Sequence, residues 1–194
     1  MIFKQYSVHI GLIISLFANF LLIATRPTIP KVSVDLQQAI EVFVRQVTQN
    51  LLDTSYISYA DATRGLLDGE LAPPVVNMLR QQGLIAKSDE DLRAQLKELT
   101  DQRQVAAVKI ESVNLLGMDK QNLTVVEVKG KVAVHSSEDA GPSAPVNFLF
   151  RYSIGAKNDP DKGGPEMKNG KPVLMVADFK DLSGAQQQQQ QQQQ

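Results

Sequence analysis

Candidates for acid–base chemistry in this chain are residues such as Tyr56, Tyr59, Asp61 and Asp178. Tyrosine and aspartate side chains lining one pocket can pass a proton to and from a substrate held there. Tyrosines at a helix start are also ordinary packing residues with a polar tip, so convergence on one pocket is what would make them a site. A Ser–His–Asp arrangement must use His135, because His9 lies inside an apolar stretch. His135 ends an alternating run and is followed by Ser136-Ser137-Glu138-Asp139, the composition of a solvated turn.

Asn158-Asp159-Pro160-Asp161-Lys162-Gly163-Gly164 has the look of a calcium loop. Counting Asp159 as the first position puts Gly170 at the twelfth, where a bidentate Glu is required. The spacing therefore reads as a hairpin loop. Asn122-Leu123-Thr124 is a glycosylation triplet that reads equally as the start of a strand. No nucleophile elbow, H-E-x-x-H, phosphate loop or G-x-G-x-x-G occurs. With no Cys, thiolate metal centres, disulfides and thiol nucleophiles are excluded. The expectation is a non-enzyme without cofactor or metal, with a membrane-tethered enzyme or small-ligand binder kept as an alternative.

The elements that must position these residues come from an uneven chain of 194 residues, long enough for one ordinary domain with additions. The 20 Lys and Arg balance 21 Asp and Glu, so direct nucleic-acid binding, which calls for a basic face, is not expected.

From Gln5 to Thr25 no charged side chain occurs over 21 residues. At about 1.5 Å per residue such a helix covers about 30 Å, the hydrocarbon thickness of a bilayer. A cleaved secretory signal is the other reading. The long apolar region Val8–Ala24 and the lack of a clear A-x-A site favour a retained anchor. Lys4 and Arg26 bracket it, and the short tail before the first charge favours an N-in, C-out orientation. Gly11, Ser15 and Asn19 share one face, with Ala18 beside them. Small-xxx-small spacing lets two helices approach closely and makes this a candidate self-association face, although such triplets also arise by chance. The last nine residues, Gln186–Gln194, are glutamine and cannot build a core.

Between Val32 and Leu182 there are 17 Lys and Arg against 21 Asp and Glu, a net charge of −4. Leu36, Ile40, Phe43, Val44, Val47 and Leu51 follow helical spacing and predict an amphipathic helix over Asp35–Leu52, with Gln37, Glu41, Arg45 and Gln49 opposite. Ser58 with Asp61 predicts a capping box for a short second helix ending near Gly69. Pro73-Pro74 suits the first turn of a third helix that stops at Gly83. Ser88 with Asp91 caps a fourth, striped by Leu92, Leu96 and Leu99.

After Gln102 the period changes to two. Val108 and Ile110 fall out of phase with Val113 and Leu115, which predicts a bulge near Ser112. Gly117-Met118-Asp119 reads as a turn, Val126–Val134 as a second strand and Val146–Ile154 as a third. Ala156–Lys171 reads as a loop, and the alternation of Val173, Met175, Ala177 and Phe179 as the last strand. The fold class expected is α+β: three or four helices packed in a curved four-stranded antiparallel sheet. The domain plan is a cytoplasmic tail (1–5), a transmembrane helix (6–25), a linker (26–34), the α+β domain (35–183) and a Gly/Ala/poly-Gln tail (184–194).

This order resembles the TraE-type conjugative-transfer proteins and the related VirB-class inner-membrane scaffold subunit of type IV secretion systems. The stretches that carry it are Val8–Ala24, Ala62-Thr63-Arg64-Gly65-Leu66-Leu67 leading into Pro73-Pro74-Val75-Val76, and Val146–Ile154 followed by Val173-Leu174-Met175-Val176-Ala177-Asp178-Phe179. The resemblance implies a nuclear-transport-factor-two-like cone in the periplasm of a single-pass inner-membrane protein. It implies assembly work without chemistry: homo-oligomerisation and contacts with other secretion-channel subunits, with the bilayer engaged through residues 6–25. Candidate surfaces are the small-residue face of the span and the exposed face of the first helix. An inner-membrane pilus or type II secretion assembly protein is the alternative, although such proteins usually carry a longer coiled coil and alternate strands with helices.

Overall fold

The computed structural model describes residues 34–137, 143–161 and 163–184. The expected span over 6–25, its face at Gly11, Ser15, Ala18 and Asn19, and the glutamine run lie outside the described residues. No helix among the described residues is long and apolar enough to cross a membrane.

Four helices precede the sheet: α1 (Val34–Leu52), α2 (Tyr59–Gly65), α3 (Pro73–Gln81) and α4 (Asp89–Asp101). In α1 the predicted stripe is the buried face, with Ile40, Val44, Val47 and Leu51 inside and Leu36 and Phe43 partly covered. Each fully buried aliphatic side chain contributes about 1.5–3 kcal/mol, so this one face is a main support of the domain. Helix α3 takes Pro73-Pro74 into its first turn and buries Val75 and Leu79. Helix α4 is capped as expected: Ser88 Oγ accepts from the Asp91 N–H at 3.2 Å. The Asp91 carboxylate reaches back to the Lys87 N–H at 2.8 Å. Leu92, Leu96 and Leu99 are only half-buried, so α4 flanks the core without entering it.

The expected capping box at Ser58 is absent. Ser58 is already helical in backbone and its side chain makes no cap bond. The Ser55 carbonyl accepts from the Ser58 and Tyr59 N–H groups instead, so the turn before α2 satisfies them.

The main strands are β1 (Val105–Met118), β2 (Thr124–His135), β3 (Val146–Ala156) and β8 (Leu174–Asp181), antiparallel in the order β1-β2-β3-β8. Between β3 and β8 run four two-residue strands, β4 (Asn158–Asp159), β5 (Gly164–Pro165), β6 (Met167–Lys168) and β7 (Lys171–Pro172). The expected loop over Ala156–Lys171 is thus a folded arm of two small ladders, β4–β5 and β6–β7. Its second hairpin turns at Asn169-Gly170, with φ of 52° and 75°, the left-handed pair that tight hairpins favour.

The bulge in β1 stands where the phase change puts it, between Ile110 and Ser112, with a second between Leu115 and Gly117. Opposite Ile110 lies Gly130, where an added Cβ would come 2.3 Å from the Lys109 carbonyl oxygen and 2.5 Å from Phe148 Cζ. Glycine is required there because the Phe148 ring lies against the backbone. Strand β1 continues through Met118, and the turn expected at Gly117–Asp119 falls at 119–122. Asp119 Oδ1 accepts from the Gln121 and Leu123 N–H groups and so builds that turn.

The last strand is out of the expected phase. Val176 and Phe179 are buried, not Met175 and Ala177. A register shift against β3 leaves Ala177 as an extra residue between Asp178, opposite Ser153, and Val176, opposite Ile154. Inside the sheet Phe148 and Phe150 stack at 5.0 Å, and Phe179 lies 5.2 Å from Phe150 and 5.4 Å from Tyr152. This aromatic row meets α1 across the core.

Candidate interaction surface

Helix α1 presents its second face outward. Val34 and Val42 are 69% and 65% exposed, and Glu41 pairs with Arg45 at 2.9 Å one turn on. Gln46 and Asn50, also one turn apart, both reach Glu70: Gln46 Nε2 donates to it at 2.8 Å and Asn50 Nδ2 at 3.3 Å. Glu70 ends the wide turn Leu66–Glu70, which opens because Gly69 adopts φ +118°. Burial pushes the Glu70 carboxyl above its usual range, and the amide donors from Asn50 and Gln46 only partly offset this. The clamp fixes the end of that turn to the flank of α1.

The arm closes on the first turns of the same helix. Lys157 and Glu166 tie its base at 3.1 Å, and Glu166 is joined through the backbone to Lys157 and Val173. Its hairpin end, Gly170–Pro172, faces Asp35, Leu36 and Ala39 across a cavity of about 300 Å³. A second cavity of about 450 Å³ continues along Val42, Phe43 and Gln46. Asp35, Ala39 and Lys171 line both. The result is one groove with an apolar floor and a charge of each sign.

The four acid–base candidates are not brought together. The Tyr59 hydroxyl donates to Gln95 Oε1, and burial raises its pKa. Asp61 is exposed and pairs with Arg64 at 3.5 Å. Asp178 sits on β8 with Lys180 at 4.0 Å, and Tyr56 bonds through its N–H to the Gln104 carbonyl. No hydrogen bond or ion pair joins any two of them. His135 stands at the end of β2 opposite Val105. Within the calcium-like loop, Asp159 Oδ1 accepts from the Asp161 N–H, an ordinary turn contact. Among the described residues no cluster of three His, Asp or Glu side chains could hold a metal. The glycosylation triplet spans a turn residue, Asn122 at φ 60°, and the first residue of β2, Thr124.

Glu70 and Lys171 were not singled out by the sequence. Gln46 and Asn50 at helical spacing are a faint signal for a shared partner, and nothing local names Glu70 as that partner.

Four helices laid before an antiparallel sheet of order β1-β2-β3-β8 make a TraE-type fold. The solved TraE protein in complex with 2-(2-furyl)isonicotinic acid is similar to this chain at a TM-score of 0.53 and 15% identity, covering 74% of this chain and 94% of that one. TraE bound to 4-(1H-pyrrol-1-yl)pyridine-2-carboxylic acid follows at 0.49 and 15% identity, covering 73% and 94%, and a periplasmic fragment of TraM at 0.46 and 12%, covering 75% and 96%. At these identities the likeness is one of fold, and it rests on the first of the three. No family model and no curated protein matches the sequence.

Proposed function

We propose that this chain is a bitopic assembly subunit of a type IV secretion, or conjugative DNA transfer, apparatus. Residues 6–25 anchor it in the bacterial inner membrane with the N-terminus cytoplasmic. Residues 35–183 form a periplasmic nuclear-transport-factor-two-like domain that works by contact with a second copy and with other channel subunits. The observation that carries this reading is the fold shared with TraE over 94% of that chain. The groove beside α1 supports it, as do Val34 and Val42, apolar side chains on the outer face of a helix that the core does not need.

A periplasm-dependent reporter fused after Ser183 tests the topology. Activity in a Gram-negative host is expected; a silent periplasmic fusion beside an active cytoplasmic one would overturn the placement.

A further inference from the structure

Strand β1 is an edge of the main sheet: β2 pairs with one side of it, and no strand among the described residues lies on the other. An open edge of 14 residues is a template for a further strand. Its outward side is closed only at the start. The Tyr56 N–H donates to the Gln104 carbonyl and the Ala106 N–H to Ser55 Oγ, both at 2.9 Å. Backbone groups alternate along a strand, so Val108 and Ile110 point theirs the same way as Ala106. The bulge between Ile110 and Ser112 shifts the alternation by one, and Val113 and Leu115 take over. The outward groups of these four make no hydrogen bond among the described residues.

The same four residues turn their side chains to the core and stay partly exposed. A strand that fits this edge brings an apolar side chain opposite each of them. Strand β1 meets that condition itself. Laid antiparallel on a second copy about an axis at the bulge, it sets Val108 against Leu115 and Ile110 against Val113. Because the phase breaks at Glu111, this is the one antiparallel register that maps all four onto one another. On the outer side Lys109 falls opposite Asn114, and the exposed Leu116 opposite Ala107. No like charges stand directly opposite across this ladder. Glu111 lies beside the axis with its own counter-ion, Lys131 at 3.3 Å.

We propose that two copies of this chain join through their β1 edges, Ile110 against Val113 on either side of a two-fold axis, so that their sheets run on as one. This rests on the assembly reading and adds to it an interface that shares no residue with the α1 groove.

The test is disulfide trapping with the full chain in membranes under a mild oxidant. Ser112→Cys should give a covalent homodimer, since the two Cα atoms stand about 6 Å apart in this ladder. Lys109→Cys and Asn114→Cys should each stay monomeric, because like positions lie about 17 Å apart along the strands. The double variant Lys109→Cys/Asn114→Cys sets thiol opposite thiol and should yield at least about tenfold more dimer than either single variant. The two Leu116 positions lie about 30 Å apart, so no crosslink is expected there. No dimer at Ser112→Cys, a double variant no better than its parts, or capture of a different polypeptide at position 112 would overturn the proposal. A homodimer through Val42→Cys on α1 with none through Ser112→Cys would overturn the β1 pairing alone and leave the assembly reading standing.

Discussion

The Thr48 hydroxyl and the Tyr152 hydroxyl lie 2.9 Å apart in the centre of the core, joining α1 to β3 over 104 residues of sequence. Thr48 Oγ1 donates back to the Val44 carbonyl at 2.8 Å, so its hydrogen is spent and Tyr152 donates to it. Both side chains are buried, and burial pushes the Tyr152 phenol far above its usual range. A polar link at this depth fixes the register of the helix against the aromatic row.

Thr48→Val leaves the Tyr152 hydroxyl buried without an acceptor and should cost about 1–3 kcal/mol. Tyr152→Phe leaves Thr48 bonded to Val44 and should cost about 0.5–1.5 kcal/mol. The double variant should lose less than the sum, because the two act through one contact. Urea melts of all three, followed by near-UV absorbance, check the order.

Gly130→Ala would drive a methyl group against the Lys109 carbonyl and the Phe148 ring. One contact is backbone and cannot step aside, so the loss should be at least about 1–3 kcal/mol, the range for overpacking. Gly164→Ala, in open space at the arm, should change little. Thermal unfolding of the two side by side checks the contrast.

The raised pKa of Glu70 gives a pH dependence of defined sign. Its folded pKa lies above the unfolded value of about 4.3, so the stability it contributes is present below that pH and is lost as pH rises through the folded pKa. Glu70→Gln, which keeps both amide contacts in reach, should remove the loss. The unfolding temperature of the variant should gain on the wild type from the ordinary glutamate range upward and converge with it in acid.

Gly11→Leu and Asn19→Leu should each weaken self-association measured in membranes, because both replace a close-approach or hydrogen-bonding residue on one predicted face. Unchanged association would mean that the spacing is accidental.

What was legible in the sequence was whatever carried an unbroken period. Helix α1 repeats its apolar residues at helical spacing, and β3 alternates Phe148, Phe150, Tyr152 and Ile154, so both stand where the pattern puts them. The bulge after Ile110 was also visible, because polar residues between the valines record the change of phase. The bulge at Ala177 was not. Its neighbours Val173–Phe179 are nearly all apolar, so either phase buries hydrophobic side chains and only the pairing with β3 decides. The arm's sequence reads as a loop because its ladders are two residues long, although Asn169-Gly170 marks one hairpin. The groove depends on the arm meeting α1 across 131 positions, from Ala39 to Gly170, and no local pattern encodes that. Thr48 carries no local signal, because a lone hydroxyl beside an apolar stripe reads as the stripe's edge.

The assembly role is tested most directly by single-cysteine crosslinking, since the chain has no cysteine of its own and each introduced thiol reports one position. Val42→Cys lies on the outer face of α1, and Leu116→Cys, 51% exposed in its native form, lies on β1 outside the groove. With the full chain in membranes and a short bis-maleimide, the account predicts a covalent homodimer at position 42 and none at position 116. Monomer alone at position 42, or equal dimer at both positions, would contradict it.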